Sequence, residues 1–427
     1  MIEVTRFSNW PLRSVRPCPC SGISTRGLPS DRIRKLIGAS KFVSLIVACA
    51  AISGLLEPLK VGLAHLTCKR GRSIPHALDE QRETVKVNST IEREDIMNDV
   101  TLLAVGDVGP VHEPMNQYAA LAKDTLALAD IRFGQCERTY STRGALQIHS
   151  GGHHSRCNPG LASIFEDCGF DIVSVASNHS MDWGGEALLD TVELLNSKGI
   201  KTVGAGANIE EARKPQIIEK NDVKVGFLAY CSVLRDGYTA TDKTTGVAPI
   251  RVHTYYEQFD YQPGVHPKVV TVPFEEDVAA MEADIEALKK KADAVVVSIH
   301  WGLHFIPREI ADYQPTVAKA AFAAGADMIL GHHAHTPKAI SVYDDKVCFF
   351  SISNFIMSSS EKTPEAAAKF EKNYRVTLDP DYPRLPYGSD GKRTMVTKAI
   401  LSNKGVKKVS FLPTLIDPKL RPEISKT

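Results

Sequence analysis

Apolar runs that break off into metal-competent side chains constrain this chain more than any other feature. "VTLLAVGD", "ALADIRFGQCE", "FDIVSVASNH", "ADAVVVSIHWG" and "ADMILGHHAH" each end at polar residues: Asp107, Glu137, Asn178 with His179, His300, and then His332, His333 and His335. "VKVGFLAYCS" has the same form. Runs this continuously apolar predict strands covered on both faces, not the alternation of a half-solvated sheet. Helical periods lie between them: Leu188, Leu189, Val192 and Leu195 form one stripe, Val278, Met281, Ile285 and Leu288 another. "ADYQPTVAKAAFAAG" is a third, closed by Gly325. The expected class is α/β, layered sheets flanked by helices. Ligands bind beyond the C-terminal ends of strands in such sheets, so these polar residues are expected to converge there.

Taken singly, each has an ordinary explanation. An Asp after Gly is often a turn or a cap, and a lone His300 can be a satisfied core histidine. The segment "ILGHHAH" is harder to explain so, because every buried ring nitrogen needs a partner. Metal coordination supplies such partners. A His, Asp, Glu and Asn set without thiolate suits one or two divalent ions, Mn, Fe or Zn. Two ions about 3.5–4 Å apart can polarise a phosphoryl oxygen and generate hydroxide for in-line attack.

Several other classes are excluded. The net charge of +1 gives no reason to expect nucleic acid as a partner. Nine scattered cysteines, an odd number, do not read as a disulfide framework, and Cys18 with Cys20 lacks a second pair for zinc. No GxxxxGK loop or GxSxG elbow is present, and "VGAGAN" does not complete a dinucleotide fingerprint.

Residues 1–96 read differently from the rest. "RSVRPCPCSGISTRG" has little periodicity, and the apolar stretch Phe42 to Leu56 follows Arg32, Arg34, Lys35 and Lys41. As a helix that stretch is about 22 Å long, short of a hydrocarbon core of roughly 30 Å. The segment is either a poorly organised leader, an export or anchor segment giving membrane association, or a packed domain; alternatively, natural translation starts at Met97. Organised sequence is expected over 97–416, with 417–427 as a tail.

From about Val100 to Pro413 the chain resembles the CapA family of capsule and poly-gamma-glutamate biosynthesis proteins, whose fold is related to calcineurin-like metallophosphoesterases. The resemblance rests on the order and spacing of "AVGDVG", "ADIRFGQCERTYS", "FDIVSVASNHSMDWGGEALLDTVELLNSKGIKTVGAG", "KVGFLAYC", "VVVSIHWG", "AGADMILGHHAH" and "FFSISNFI". It implies metal ligation by Asp107, Glu137, Asn178, His300, His333 and His335. It also implies a general acid at His179, with His332 and Asn354 beside the site. The chain departs from the phosphoesterase pattern in two places. Asp107 is followed by Val108 and Gly109 where Asp-x-His is usual, so one imidazole is missing or comes from elsewhere. Gln135 stands where Asn is usual before Glu137.

Asp182 is expected to orient His179 through its second nitrogen. Arg143, in a polar segment with His149, His153, His154 and Arg156, is a candidate for holding phosphate or carboxylate. His304, Arg308 and Glu309, just after His300, are candidates for substrate contact. "MSSSEKTPEAAAKFEKNYRVTLDPDYPRLPYGSDGKRTM" reads as a turn-rich excursion covering the crevice, and the closing segment as a hairpin turning at Asn403, Lys404 and Gly405. Two functions follow. One is a metal-dependent hydrolase of a phosphoester or an acidic polymer. The other is a non-catalytic accessory subunit that binds polymer or organises a synthase or export complex. The compartment is bacterial cytoplasm, or the membrane and beyond.

Overall fold

Alternation along single strands sorts the side chains of this molecule into three apolar layers. In the computed structural model, residues 2–3, 98–148, 156–261 and 263–425 are described. The expectations placed on residues 1, 4–97 and 149–155, including the apolar stretch, the Cys-x-Cys pair and His149, His153 and His154, lie outside them. Within strand Val100–Gly109, Leu102 and Ala104 belong to one buried cluster, whereas Leu103 and Val105 belong to another. In strand Ala294–His300, Val296 joins the same cluster as Leu102, while Val295, Val297 and Ile299 face the opposite way. The shared cluster lies between two sheets, where Phe133 stacks on Phe227 at 5.9 Å.

One sheet runs Gly405–Ile416, Arg393–Ser402, Val100–Gly109, Ile131–Cys136, Ile172–Ser174, Lys201–Val203, with Asn354–Met357 also paired to Val100–Gly109. The other runs Ile340–Tyr343, Lys346–Phe349, Met328–His332, Ala294–His300, Val223–Cys231, Gln216–Lys220. Within each sheet the strands that carry the site run parallel to one another, although Val100–Gly109 also pairs antiparallel with Arg393–Ser402. Their candidate ligands therefore emerge at one end. Helix Gly184–Ser197 contributes Leu195 to the outer cluster of the first sheet. Helices Glu275–Lys289 and Tyr313–Ala323 cover the outer face of the second with Met281, Ile285, Leu288, Val317 and Ala321. The architecture is a layered mixed α/β sandwich.

Three features go beyond the sequence expectations. The excursion after Met357 contains a helix, Pro364–Tyr374, started by Thr363, whose side chain accepts from Ala366 N. Proline at the first helical position and an alanine run favour it, although it buries no residue. Past Ile416, where a tail was expected, Pro422–Ile424 pairs antiparallel with Thr414–Ile416. A separate two-stranded ribbon, Val252–Glu257 with Lys268–Pro273, exposes Tyr255, Tyr256 and Val269. The expected hairpin is present, Arg393–Ser402 turning through Asn403 and Lys404 into Gly405–Ile416. Among the described residues no helix is long and apolar enough to cross a membrane.

Candidate metal centre

Simple alternation would send Asp107 the same way as Leu103 and Val105, away from the second sheet. The pairing of Val100–Gly109 with Ile131–Cys136 instead slips between Ala104 and Asp107. Val108 then joins the outer cluster and Asp107 turns inward. Gly106 makes room for this, since a Cβ there would sit 1.8 Å from Ser353 O. Asp107 N donates to the same Ser353 carbonyl at 3.0 Å.

Asp107, Glu137 and His335 offer donor atoms within 4.8 Å of one another, and all three side chains are buried. Asp107 Oδ1 and Oδ2 and Glu137 Oε1 have no hydrogen-bond partner among the described residues. Burying carboxylate oxygens in this way is costly unless a cation meets them. Burial, then the nearby Asp107 carboxylate, raises the Glu137 pKa well above the usual carboxylate range. His335 is oriented for ligation. Its Nδ1 donates to Asn354 Oδ1 at 2.7 Å, while Asn354 Nδ2 donates to the carbonyls of His335 and Gly391. That leaves Nε2 toward Glu137 Oε1, 4.0 Å away, and Tyr387 stacks on the ring at 4.1 Å.

A second group abuts the first. His300 Nε2 lies 2.7 Å from Asn178 Oδ1 and 3.2 Å from His333 Nδ1, and His300 Nδ1 is 3.7 Å from Glu137 Oε2. Glu137 thus stands between the two groups, held by Ser177 Oγ, which donates to Oε2 at 2.9 Å. Burial first, and neighbouring imidazoles after it, lower the pKa of His300 and His333 well below the ordinary histidine value. The same burial brings His335 down to about 3. Neutral imidazoles beside partnerless carboxylate oxygens make a donor set that fits divalent cations. His333 and His335 both adopt left-handed backbone, at φ 86° and 54°. Such strain, of order 1–3 kcal/mol each, is characteristic of residues held for function.

The remaining candidates separate clearly. His332, fully buried, puts Nδ1 3.4 Å from Asp107 Oδ1, and neither ring nitrogen has a hydrogen-bond partner among the described residues. It is an imidazole facing Asp107 in a chain whose Asp-x-His imidazole is absent. Gln135 is buried, its amide nitrogen donating to Cys136 O and Ala176 O while Oε1 has no partner among the described residues. His304 stacks on His333 at 3.8 Å. Arg143 instead pairs with Asp190 and Glu186, and Arg308 and Glu309 are exposed; none of the three lines the cavity beside the centre.

That cavity, of about 560 Å³, is bordered by Glu137, Asn178, His179 and His335 and roofed by Phe370 and Tyr374. His179 Nδ1 meets Asp182 Oδ2 at 2.7 Å, and Tyr238 Oη donates to Asp182 Oδ1 at 2.6 Å. Nδ1 therefore carries the proton, and Nε2 points toward Asn178 Nδ2 at 3.3 Å and Glu137 Oε1 at 3.9 Å. Burial, reinforced by the charges of Arg138 and Arg235, holds His179 down to about 3. Sequence reasoning missed Arg138, Arg235 and Tyr238. The last two lie on the loop after Val223–Cys231, the one apolar run for which no ligand had been sought.

A family model described as "Bacterial capsule synthesis protein PGA_cap" matches residues 86–359. The PGA biosynthesis protein CapA of Bacillus subtilis is 31% identical over 204 residues, 48% of this chain and 47% of that protein. The capsule biosynthesis protein CapA of Bacillus anthracis is 28% identical over 191 residues, 45% and 41% of the two chains. The chain thus spans about half the length of these curated relatives. Among solved structures, a hypothetical protein from Thermus thermophilus aligns with TM-score 0.42 at 12% identity, over 73% of this chain and 98% of its own. The calcineurin-like phosphoesterase YfkN from Bacillus subtilis aligns with TM-score 0.37 at 15% identity, over 73% and 90%. With its family match running through the Asp107, Glu137 and His335 segments, the chain belongs to the bacterial capsule synthesis protein family.

Proposed function

We propose that this chain is a metal-dependent hydrolase of a phosphoester, or of a bond in an acidic capsular polymer such as poly-gamma-glutamate. The observation that carries the reading is the juxtaposition of His335 with Asp107 Oδ1 and Oδ2 and Glu137 Oε1, which lack hydrogen-bond partners among the described residues, beside a cavity lined by Glu137, His335 and His179. Asp107, Glu137, Asn178, His300, His333 and His335 would hold one or two divalent ions. A bound ion supplies Lewis acidity and activates water. The protein's own groups do the rest. Asp182 fixes the tautomer of His179 and presents Nε2 to the cavity. Binding of an anion raises the proton affinity of that nitrogen, against the effect of the two arginines, so that it can hand a proton to a departing oxygen. Phe305, Tyr387 and the helix Pro364–Tyr374 restrict water at the same mouth.

The names of the Bacillus relatives support a place in capsule or poly-gamma-glutamate metabolism, and partners among synthase or export subunits are proposed on the same ground. A non-catalytic accessory role is favoured by one observation, the Val108–Gly109 pair where an imidazole is usual after Asp107. Elemental analysis of protein purified without a metal-binding tag, beside the H333A/H335A variant, tests the reading. One or two Mn, Fe or Zn per chain, lost in the variant, with metal-stimulated cleavage of a phosphodiester or a glutamate polymer, is the expected result. No retained metal after supplementation sinks the hydrolase and leaves the accessory role.

A further inference from the structure

Arg138 and Arg235 both line the cavity beside the centre, and nothing in the mechanism above uses them for binding. Arg138 is fixed in advance. Its Nε donates to Gly109 O at 2.8 Å and its Nη2 to Ser358 O at 3.1 Å, so its conformational freedom is lost before any ligand arrives. The chain leaves space for it at Gly109, where a Cβ would lie 2.7 Å from Arg138 Cγ. Arg235 comes from the loop after Val223–Cys231. Its side chain is 33% exposed and also bears on the Tyr238 hydroxyl, but its Nη1, 3.8 Å from Asp182 Oδ1 and too far for a hydrogen bond, is buried without a hydrogen-bond partner among the described residues. The Asp182 carboxylate is already occupied by His179 and Tyr238. A buried charged donor lacking an acceptor is unfavourable, and an oxyanion in the cavity would supply one. The acids along the wall do not cancel these charges, since Glu137 faces the metal donors and Glu361 pairs with Arg384 at 3.1 Å.

We propose that Arg138 and Arg235 form a two-point clamp for an oxyanion of the ligand, phosphate or carboxylate, held beside the Asp107, Glu137 and His335 centre. The inference rests on the cavity being the ligand site, as in the function proposed above, and not on hydrolysis. Bland roles exist for both residues: Arg138 as a brace between Gly109 and Ser358, Arg235 as a partner of the Tyr238 hydroxyl and a distant ion-pair partner of Asp182. Neither bland role makes ligand affinity depend on the guanidinium fork.

Titration calorimetry on the full-length protein, supplemented with Mn²⁺ and freed of excess ion, tests the clamp with two probes, inorganic phosphate and a short γ-linked glutamate oligomer. R235A is expected to weaken whichever probe the wild type binds by about tenfold or more, with R235K recovering only part. R138A is expected to act likewise, and elemental analysis should show metal content unchanged in each variant. Binding of phosphate alone identifies a phosphoester as the source of the oxyanion. Binding of the oligomer alone identifies a polymer carboxylate. The clamp is overturned if the wild type binds neither probe, or if R235A binds as tightly as the wild type. Should R138A melt early through loss of its brace, R235A decides by itself, because truncating it releases no backbone contact. Arginine-dependent binding in a protein that cleaves nothing would overturn the hydrolase reading and leave the clamp standing.

Discussion

On the proposed hydrolase reading, His179 is the residue whose removal separates chemistry from metal binding. It lies beside the candidate metal donors without being placed among them, and Asp182 and Tyr238 hold it from behind. H179A is expected to keep wild-type metal content and to lower kcat about 10²–10⁴-fold on an alkyl phosphodiester. The loss should be smaller on a p-nitrophenyl ester, whose leaving group needs no proton; equal losses on both substrates would argue against proton donation. Lys338 gives a pH prediction free of the metal. Burial pushes its ammonium down to about 8, opposed by Glu309, and Nζ donates to Ile306 O. With the folded value below the unfolded value near 10.5, the unfolded chain binds more protons between these two pH values. Stability of the wild type relative to K338M should therefore be constant below about pH 8 and move in favour of the wild type as pH rises toward 10.5. Chemical denaturation of both proteins at about pH 7 and about pH 10 checks the sign.

Two elements set the geometry. The slip in strand Val100–Gly109 turns Asp107 inward and requires the bare Cα of Gly106 against Ser353 O. G106A is expected to destabilise the fold by about 1–3 kcal/mol and to lose metal disproportionately, because backbone must move to admit the methyl group. Urea unfolding together with metal content measures both effects, and an unperturbed metal content would show that the slip does not aim Asp107. The roof behaves differently. Helix Pro364–Tyr374 buries no residue and touches the cavity through Phe370 and Tyr374, whose rings lie 5.9 and 5.2 Å from that of Phe305. F370A/Y374A should leave the melting temperature nearly unchanged and raise KM with little change in kcat, with faster hydrogen exchange confined to the helix. A large fall in melting temperature would make the helix part of the core instead.

For the molecule as a whole, a centre that holds a cation, as proposed, would couple folding to cation binding. Without a cation, two buried carboxylates face one another, and proximity to Asp107 adds to burial in raising Glu137. The metal-free E137Q variant should therefore be at least as stable as metal-free wild type. Added Mn²⁺ at about 100 times its Kd should stabilise the wild type by about 2.7 kcal/mol and E137Q by much less. Melting curves in chelator and in Mn²⁺ decide this, and stabilisation of both proteins to the same degree would remove Glu137 from the ligand set.

Continuous apolar runs and 3.6-residue stripes are local properties that need no partner to be read, so the layered α/β class and the strand ends were legible in the chain alone. Asp107, Glu137, Asn178, His300, His333 and His335 were nameable for the same reason: each stands at or just past such a run, and parallel strands deliver their ends to one edge. Arg143, Arg308 and Glu309 were equally nameable by position, yet tertiary packing sends Arg143 to Asp190 and leaves the other two exposed. The folded chain alone settled that Asn354 orients His335, that His332 faces Asp107, and that Arg138, Arg235 and Tyr238 gather around the cavity and its His179–Asp182 pair. Those relationships join residues that lie far apart in the chain, or hang on a one-residue slip in pairing, and neither leaves a periodic trace in the sequence. Local pattern fixes which face a side chain takes along a regular strand; where the strand slips or a loop returns from another sheet, packing alone chooses the neighbour.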